Sequence, residues 1–194
     1  MRGVGLRLVL ALVAVVLPPL ASGMAQAPGE AVILSTYGSK MGANHQPRLQ
    51  RHAGVDFGGQ RGAPVLAAAD GVVNRLLDYD FGCGRGVVLA HLAFKRYTVY
   101  CHMQQALVRV GEGIVRGQTI GLIGTSGSAF GVPHVHFELC TSACASHADG
   151  DLGGTRDPLS VADGCFDPRK AYPSDRLVLT FPVQCLWWAW EKYR

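Results

Sequence analysis

Apolar residues along this chain come in short runs separated by glycine: GVVNRLL, GRGVVLAHL, RYTVYCHM, ALVRV, TIGLIG and HVHFEL. Runs of this length, rich in Val and Leu and bounded by turn residues, predict many short strands joined by tight turns. The expected fold class is therefore all-β, mainly antiparallel, with no amphipathic helix longer than about three turns. The stretch GVVLAHLAFKRYTVYCHM reads as a hairpin turning at LAFK, which returns Cys101 to the level of Gly86 beside Cys83. A Cys83–Cys101 bridge is expected from that geometry. In HVHFEL, a strand turns alternate side chains to opposite faces, so His134 and His136 share one face while Val135 and Phe137 share the other. Two imidazoles on one face can serve one metal site. They can equally be one surface histidine and one buried, partnered histidine, and residues elsewhere must decide.

The rhythm stops between Thr141 and Gly164, where Gly, Ala, Ser and Asp dominate. A long loop is expected there, stapled by Cys140, Cys144 or Cys165. One more strand, RLVLTFPV, follows, and then the tail CLWWAWEKYR, whose three tryptophans are expected to pack on the domain rather than form an exposed platform for sugar. No repeat or second domain is visible. The expected organisation is a leader over 1–27, one domain over 28–173 that includes the loop 141–164, and a strand and tail over 174–194 packed on that domain.

The leader reads as a secretory signal: Arg2 and Arg7, then LVLALVAVVLPPLA, then small residues, with cleavage expected after Gly23, Ala25 or Ala27. Its apolar run is short for a membrane span and is broken by Pro18 and Pro19, so no stable span is expected once the signal is removed. Removal takes Lys+Arg from 18 to 16 against 14 Asp+Glu, a net charge of +2, too balanced to suggest nucleic acid as a partner. All six cysteines lie downstream of the leader. An even count in an exported chain favours disulfides, and no CxxC pair of the structural-zinc type is present.

Upstream of the histidine pair stands RHAGVDFG, in which His52 and Asp56 are separated by a turn containing Gly54. An imidazole and a carboxylate aimed at one point, joined by one of the HxH histidines, supply the nitrogen and oxygen ligands that suit Zn²⁺. Three protein ligands leave a fourth position open for chemistry, and the spare histidine of the pair faces the same space. His102, at the end of RYTVYCHM beside Cys101, is a further candidate.

Taken together and in order, RHAGVDFGGQRGAPVLAAADGVV, YTVYCHM, VGEGIVRGQTIGLIGTSGS and PHVHFEL resemble the lysostaphin-type (LytM-domain) zinc endopeptidases of peptidoglycan. The resemblance runs from about Tyr37 to Leu139. It implies a compact β-sandwich or barrel-like core with a groove across the sheet, His52, Asp56 and His136 as zinc ligands, His134 as general base, and His102 as an orienting and stabilising partner. It also implies a water activated by zinc, cleavage of peptide stems or cross-links of bacterial cell wall, and a periplasmic or secreted location. Two departures from the family pattern stand out. The turn SAFGVPHVH brings Phe130 and Val132 close to the site, and YGSKMGANHQPRLQR leaves open whether Tyr37, Asn44 or His45 takes the place of a tyrosine that some relatives use on this side. His91 reads as structural, and His147 as a solvated loop residue.

Two other readings compete. A catalytically inactive LytM-type module would bind wall or activate another hydrolase; such modules typically lose ligands, whereas here all are present. A secreted zinc protease of glycine-rich proteins would keep the chemistry and change the substrate. The lack of an appended wall-targeting domain and the small size favour a wall-remodelling enzyme over a weapon against other bacteria.

Overall fold

The computed structural model describes residues 30–141, 152 and 154–185. The leader, residues 142–151 and 153 of the 141–164 loop with His147, and the tryptophan tail lie outside those residues. The strands are β1 (Ile33–Ser35), β2 (Val55–Gly58), β3 (Pro64–Leu66), β4 (Gly71–Asp78), β5 (Arg85–His91), β6 (Arg96–Cys101), β7 (Met103–Ala106), β8 (Gly113–Ile114), β9 (Thr119–Ile123), β10 (His134–Cys140) and β11 (Thr155–Arg156). Among the described residues the only helical turns are two short 3-10 segments. The larger sheet runs β1-β2-β10-β6-β5-β4-β8 with β11 added beside β10, and the smaller runs β3-β9-β7; every strand pair is antiparallel. The all-β expectation is met.

Alternation along the strands decides what each face of the large sheet carries. Val55, Phe57, Val87, Leu89, Tyr100, Val135, Phe137 and Leu139 point to one face and form the main core with Val65, Ile120 and Ile123 of the small sheet. Phe57 and Phe137 meet edge to face at 6.2 Å, and Tyr100 lies 5.1 Å from Phe137. The residues between them, Asp56, His134, His136 and Glu138, are therefore committed to the opposite face by the same pleat. A smaller apolar cluster of Leu77, Val88, Val99, Cys101 and Cys140 continues that second face away from the histidines.

The hairpin forms as expected: β5 pairs β6 from Val87↔Tyr100 to His91↔Arg96, and Lys95 closes its turn at φ +51°. Cys83 and Cys101 are disulfide-bonded, and so are Cys165 and Cys185. Two expectations need revision. RLVLTFPV makes no ladder; Leu179 and Val183 form single bridges to Ala162 and Val65 and bury their side chains in the main core. The end of the 141–164 stretch is not plain loop, because Thr155–Arg156 pairs with β10 and Asp157 caps a 3-10 turn over Pro158–Val161.

His91 is a structural tie, as its sequence context suggested. The Asp70 carbonyl can only accept, so His91 Nδ1 donates to it at 2.6 Å, and Nε2 accepts from the Thr98 hydroxyl at 2.8 Å. Thr98 Oγ1 lies 3.1 Å from the Tyr100 hydroxyl, which accepts from the Ala68 amide at 2.9 Å. Burial pushes the His91 imidazole below the ordinary value of 6.5 and pushes the Tyr100 phenol up to about 12. The unfolded chain thus binds a proton at His91 that the folded chain refuses, and stability conferred at this position falls as pH drops below 6.5. His91→Ala is expected to cost about 1–3 kcal/mol at pH 7.5, by orphaning buried partners, and less at pH 5. Urea unfolding of both chains at the two pH values measures this; a constant difference would contradict the assignment.

Candidate metal centre

The two site strands lie side by side with His136 opposite Asp56, and His136 also faces Cys101 across β6. His52 precedes β2 by a turn in which Gly54 passes under β10; a Cβ there would come within 2.3 Å of the Phe137 carbonyl oxygen. That glycine is what lets His52 fold back over its own strand. The result is a triangle of ligand-type atoms. His52 Nε2 lies 2.8 Å from His136 Nδ1, His136 Nδ1 lies 2.9 Å from Asp56 Oδ1, and His52 Nε2 lies 3.0 Å from Asp56 Oδ1. Among the described residues, these three form the group of His, Cys, Asp or Glu placed to hold one ion.

Each histidine is oriented from behind by an oxygen acceptor. His52 Nδ1 donates to the Thr36 carbonyl at 2.9 Å, with the Ser35 hydroxyl 3.1 Å away. His136 Nε2 donates to Glu138 Oε1 at 2.8 Å. His134 Nδ1 donates to the Val132 carbonyl at 2.8 Å, and His102 Nδ1 donates to the Ser126 carbonyl at 2.9 Å. In the neutral rings this leaves four inward nitrogens with lone pairs. His134 Nε2 is 3.6 Å from Asp56 Oδ1, outside the tight triangle, and the His134 and His102 rings lie 4.8 Å apart.

Lone pairs from two imidazoles and a carboxylate at about 3 Å demand a positive charge between them. Burial pulls His136 down, but Asp56 and Glu138 outweigh it and hold the imidazolium up to about 9. Asp56 is wholly buried, which opposes its charge, yet the hydrogen bond from the His136 imidazolium, with His52 alongside, keeps it well below the usual carboxylate range. Arg48 adds to this by donating from Nη2 to Asp56 Oδ2 at 2.6 Å. Nitrogen and oxygen donors in this number, with their outer atoms anchored, fit a zinc-type ion. Burial, with repulsion from His136 and His134, pushes His102 down to about 3, and burial lowers His52 and His134 as well, so these rings are neutral acceptors near pH 7.

The structure thus brings together all five residues singled out from the sequence. Among the residues left open, the Tyr37 hydroxyl is taken up by Thr155 at the far end of β10, Asn44 accepts from the Gln46 amide within its own turn, and His45 is exposed. Three supporting residues went unnoticed in the sequence. Glu138 was legible, because it lies two residues past His136 and so on the same face; Arg48 and Ser126 reach the site through loops and carry no local signal.

The model of Peptidase family M23 matches residues 50–147, which span all five of these positions. The chain is 36% identical over 108 residues to a protein of Vibrio cholerae named peptidoglycan DD-endopeptidase ShyC, covering 52% of this chain and 24% of that one. It is 40% identical over 92 residues to an uncharacterized metalloprotease of Haemophilus influenzae, covering 47% of this chain and 19% of that one. The chain therefore matches about a fifth to a quarter of the length of these relatives. The solved catalytic domain of the antimicrobial peptidase lysostaphin from Staphylococcus simulans superposes with a TM-score of 0.55 at 25% identity, over 67% of this chain and 90% of that domain. With a family match across half of its length, carried on the residues that build the histidine–aspartate cluster, the chain belongs to Peptidase family M23.

Proposed function

We propose that the protein is an exported zinc metallo-endopeptidase that hydrolyses peptide stems or cross-links of bacterial peptidoglycan, in the periplasm or outside the cell. The observation that carries this reading is the convergence of His52 Nε2, Asp56 Oδ1 and His136 Nδ1 on one point, with two neutral, anchored imidazoles beside it. His52, Asp56 and His136 hold the ion. Bound zinc supplies a water acidified to a pKa of about 7 and polarises the scissile carbonyl.

The remaining work falls to this chain's side chains. His134, fixed through Nδ1 by Val132, accepts a proton at Nε2 and later returns one to the leaving amine. His102, fixed through Nδ1 by Ser126, lies against His134 and, as a neutral acceptor, orients and stabilises that ring while it holds the proton. Glu138 keeps the His136 ring turned with Nδ1 inward, and Arg48 occupies Asp56 Oδ2 so that Oδ1 faces the ion. Phe130, held at φ +51° and 75% exposed, stands on the turn that ends at Val132 and forms an apolar edge for substrate.

The Vibrio cholerae relative named as a peptidoglycan DD-endopeptidase favours wall peptides as the substrate class over glycine-rich proteins. The test is to incubate the zinc-loaded mature chain with purified peptidoglycan and identify released fragments by mass spectrometry, with a chelator-treated sample alongside. Fragments that appear only with zinc identify the bond cut. Binding to the wall without any released fragment would replace this reading with the inactive module.

A further inference from the structure

His102 stands between β6 and β7 at φ +63°, a backbone conformation that residues with a Cβ adopt when their surroundings impose it. Two acceptors impose it here. The His102 amide donates to the Cys83 carbonyl at 2.8 Å, and the side chain donates to the Ser126 carbonyl at 2.9 Å. Those acceptors belong to two loops, 79–84 and 124–131, that are stitched to each other. The Ser128 amide donates to the Gly82 carbonyl at 2.9 Å, the Gly82 amide to Ser128 Oγ at 3.0 Å, and the Arg85 amide to Ser126 Oγ at 2.9 Å. The loops meet at Gly84 and Gly127, where a Cβ on either residue would come within 2.4 Å of the other's backbone nitrogen.

Beyond the main chain itself, a disulfide cross-links this loop pair to the sheet. The Cys83–Cys101 disulfide enters β6 at the residue before His102, and Cys101 sits directly opposite His136 on β10. Gly86 leaves room for it, since a Cβ there would lie 3.0 Å from Cys83 Sγ. The bond therefore limits where the Cys83 carbonyl can be, and with it the backbone of His102. The His52, Asp56 and His136 cluster is anchored elsewhere, by Thr36, Glu138 and Arg48.

We propose that the Cys83–Cys101 disulfide is a positioning element for His102, which holds the imidazole against His134 and makes the rate of hydrolysis depend on this bond. The proposal rests on the hydrolytic reading above, in which His102 orients and stabilises His134 beside the reacting carbonyl. Ser126 shares the positioning role through its carbonyl and its hydroxyl, which donates to the Met103 carbonyl at 2.8 Å.

The test compares the zinc-loaded parent with Cys83→Ser/Cys101→Ser, in both His102 and His102→Ala backgrounds, on purified peptidoglycan. Loss of the disulfide is expected to lower kcat about tenfold or more in the His102 background, with KM and zinc bound per chain unchanged. In the His102→Ala background the same pair of substitutions is expected to change kcat by less than about twofold, because the group it positions is gone. Equal losses in both backgrounds, or no loss with His102 present, overturn the proposal and leave the hydrolytic reading standing. A parent that binds zinc and releases nothing overturns that reading and the proposal with it. Gly84→Ala, which keeps the disulfide and drives its new Cβ into Gly127, probes the same link if the double variant does not fold; it is expected to show the same selective loss of kcat, and parental kcat overturns the proposal.

Discussion

His134→Ala is expected to bind zinc with the affinity of the parent and to hydrolyse peptidoglycan peptides with kcat lowered about 10²- to 10⁴-fold, the usual worth of a positioned general acid or base. The geometry separates the two properties. His134 Nε2 lies 3.6 Å from Asp56 Oδ1, whereas the edges of the ligand triangle are 2.8, 2.9 and 3.0 Å, so the ion is held without it. What His134 offers is a lone pair on a ring that cannot rotate, because Nδ1 is committed to the Val132 carbonyl, and that stays neutral because burial disfavours its charge. Truncation at this position leaves Val135 and Phe137 in the core on the other face, so the fold is retained. Zinc content by atomic absorption and turnover on purified peptidoglycan measure the two quantities separately. A parallel loss of metal and activity would make His134 a ligand and would pass the general-base role to His102.

Much of this arrangement is legible in the letters because the strand pleat is a strict period of two. HVHFEL splits cleanly into a core set, Val135, Phe137 and Leu139, and a site set, His134, His136 and Glu138, with no tertiary information needed. The hairpin at residues 92–95 and the Cys83–Cys101 bridge follow from the same regularity, since register fixes which residues come level. Where contacts run between distant loops, the period says nothing. Arg48 reaches Asp56 through a hairpin in which Met41 bridges Pro47 and the Arg48 amide donates to the Lys40 carbonyl, none of it patterned by hydrophobicity. RLVLTFPV misleads for a related reason. Its apolar residues are spaced for a strand, and Leu179, Phe181 and Val183 do pack on the core, but the sheet edge they approach is met by isolated bridges instead of a ladder. Burial alone satisfied the pattern there, and pattern reports burial before it reports pairing.

Asp56→Ala is expected to abolish stoichiometric zinc binding and, in the metal-free protein, to lower the free energy of unfolding by about 3–5 kcal/mol, as when one partner of a buried ion pair is removed. Asp56 compensates more than one positive group. Its Oδ2 takes the Arg48 guanidinium at 2.6 Å, and its Oδ1 lies within 2.9 Å of the His136 nitrogen that carries the proton near neutral pH. Without the carboxylate, Arg48 is left with its buried Nε already lacking a hydrogen-bond partner, and His136 retains Glu138 alone of its two carboxylates. The Arg48 side chain is 31% exposed, so water recovers part of its solvation and the loss falls toward the lower end of that range. Asp56→Asn is the informative companion. Its amide oxygen can still accept from one neighbour, so it should lose the metal and less stability than Asp56→Ala. Urea unfolding in the presence of a chelator, with zinc content measured on the same preparations, checks both. An alanine variant as stable as the parent under chelation would mean that the carboxylate is not the counter-charge holding this cluster together, and that its burial is a cost the fold tolerates only for the ion.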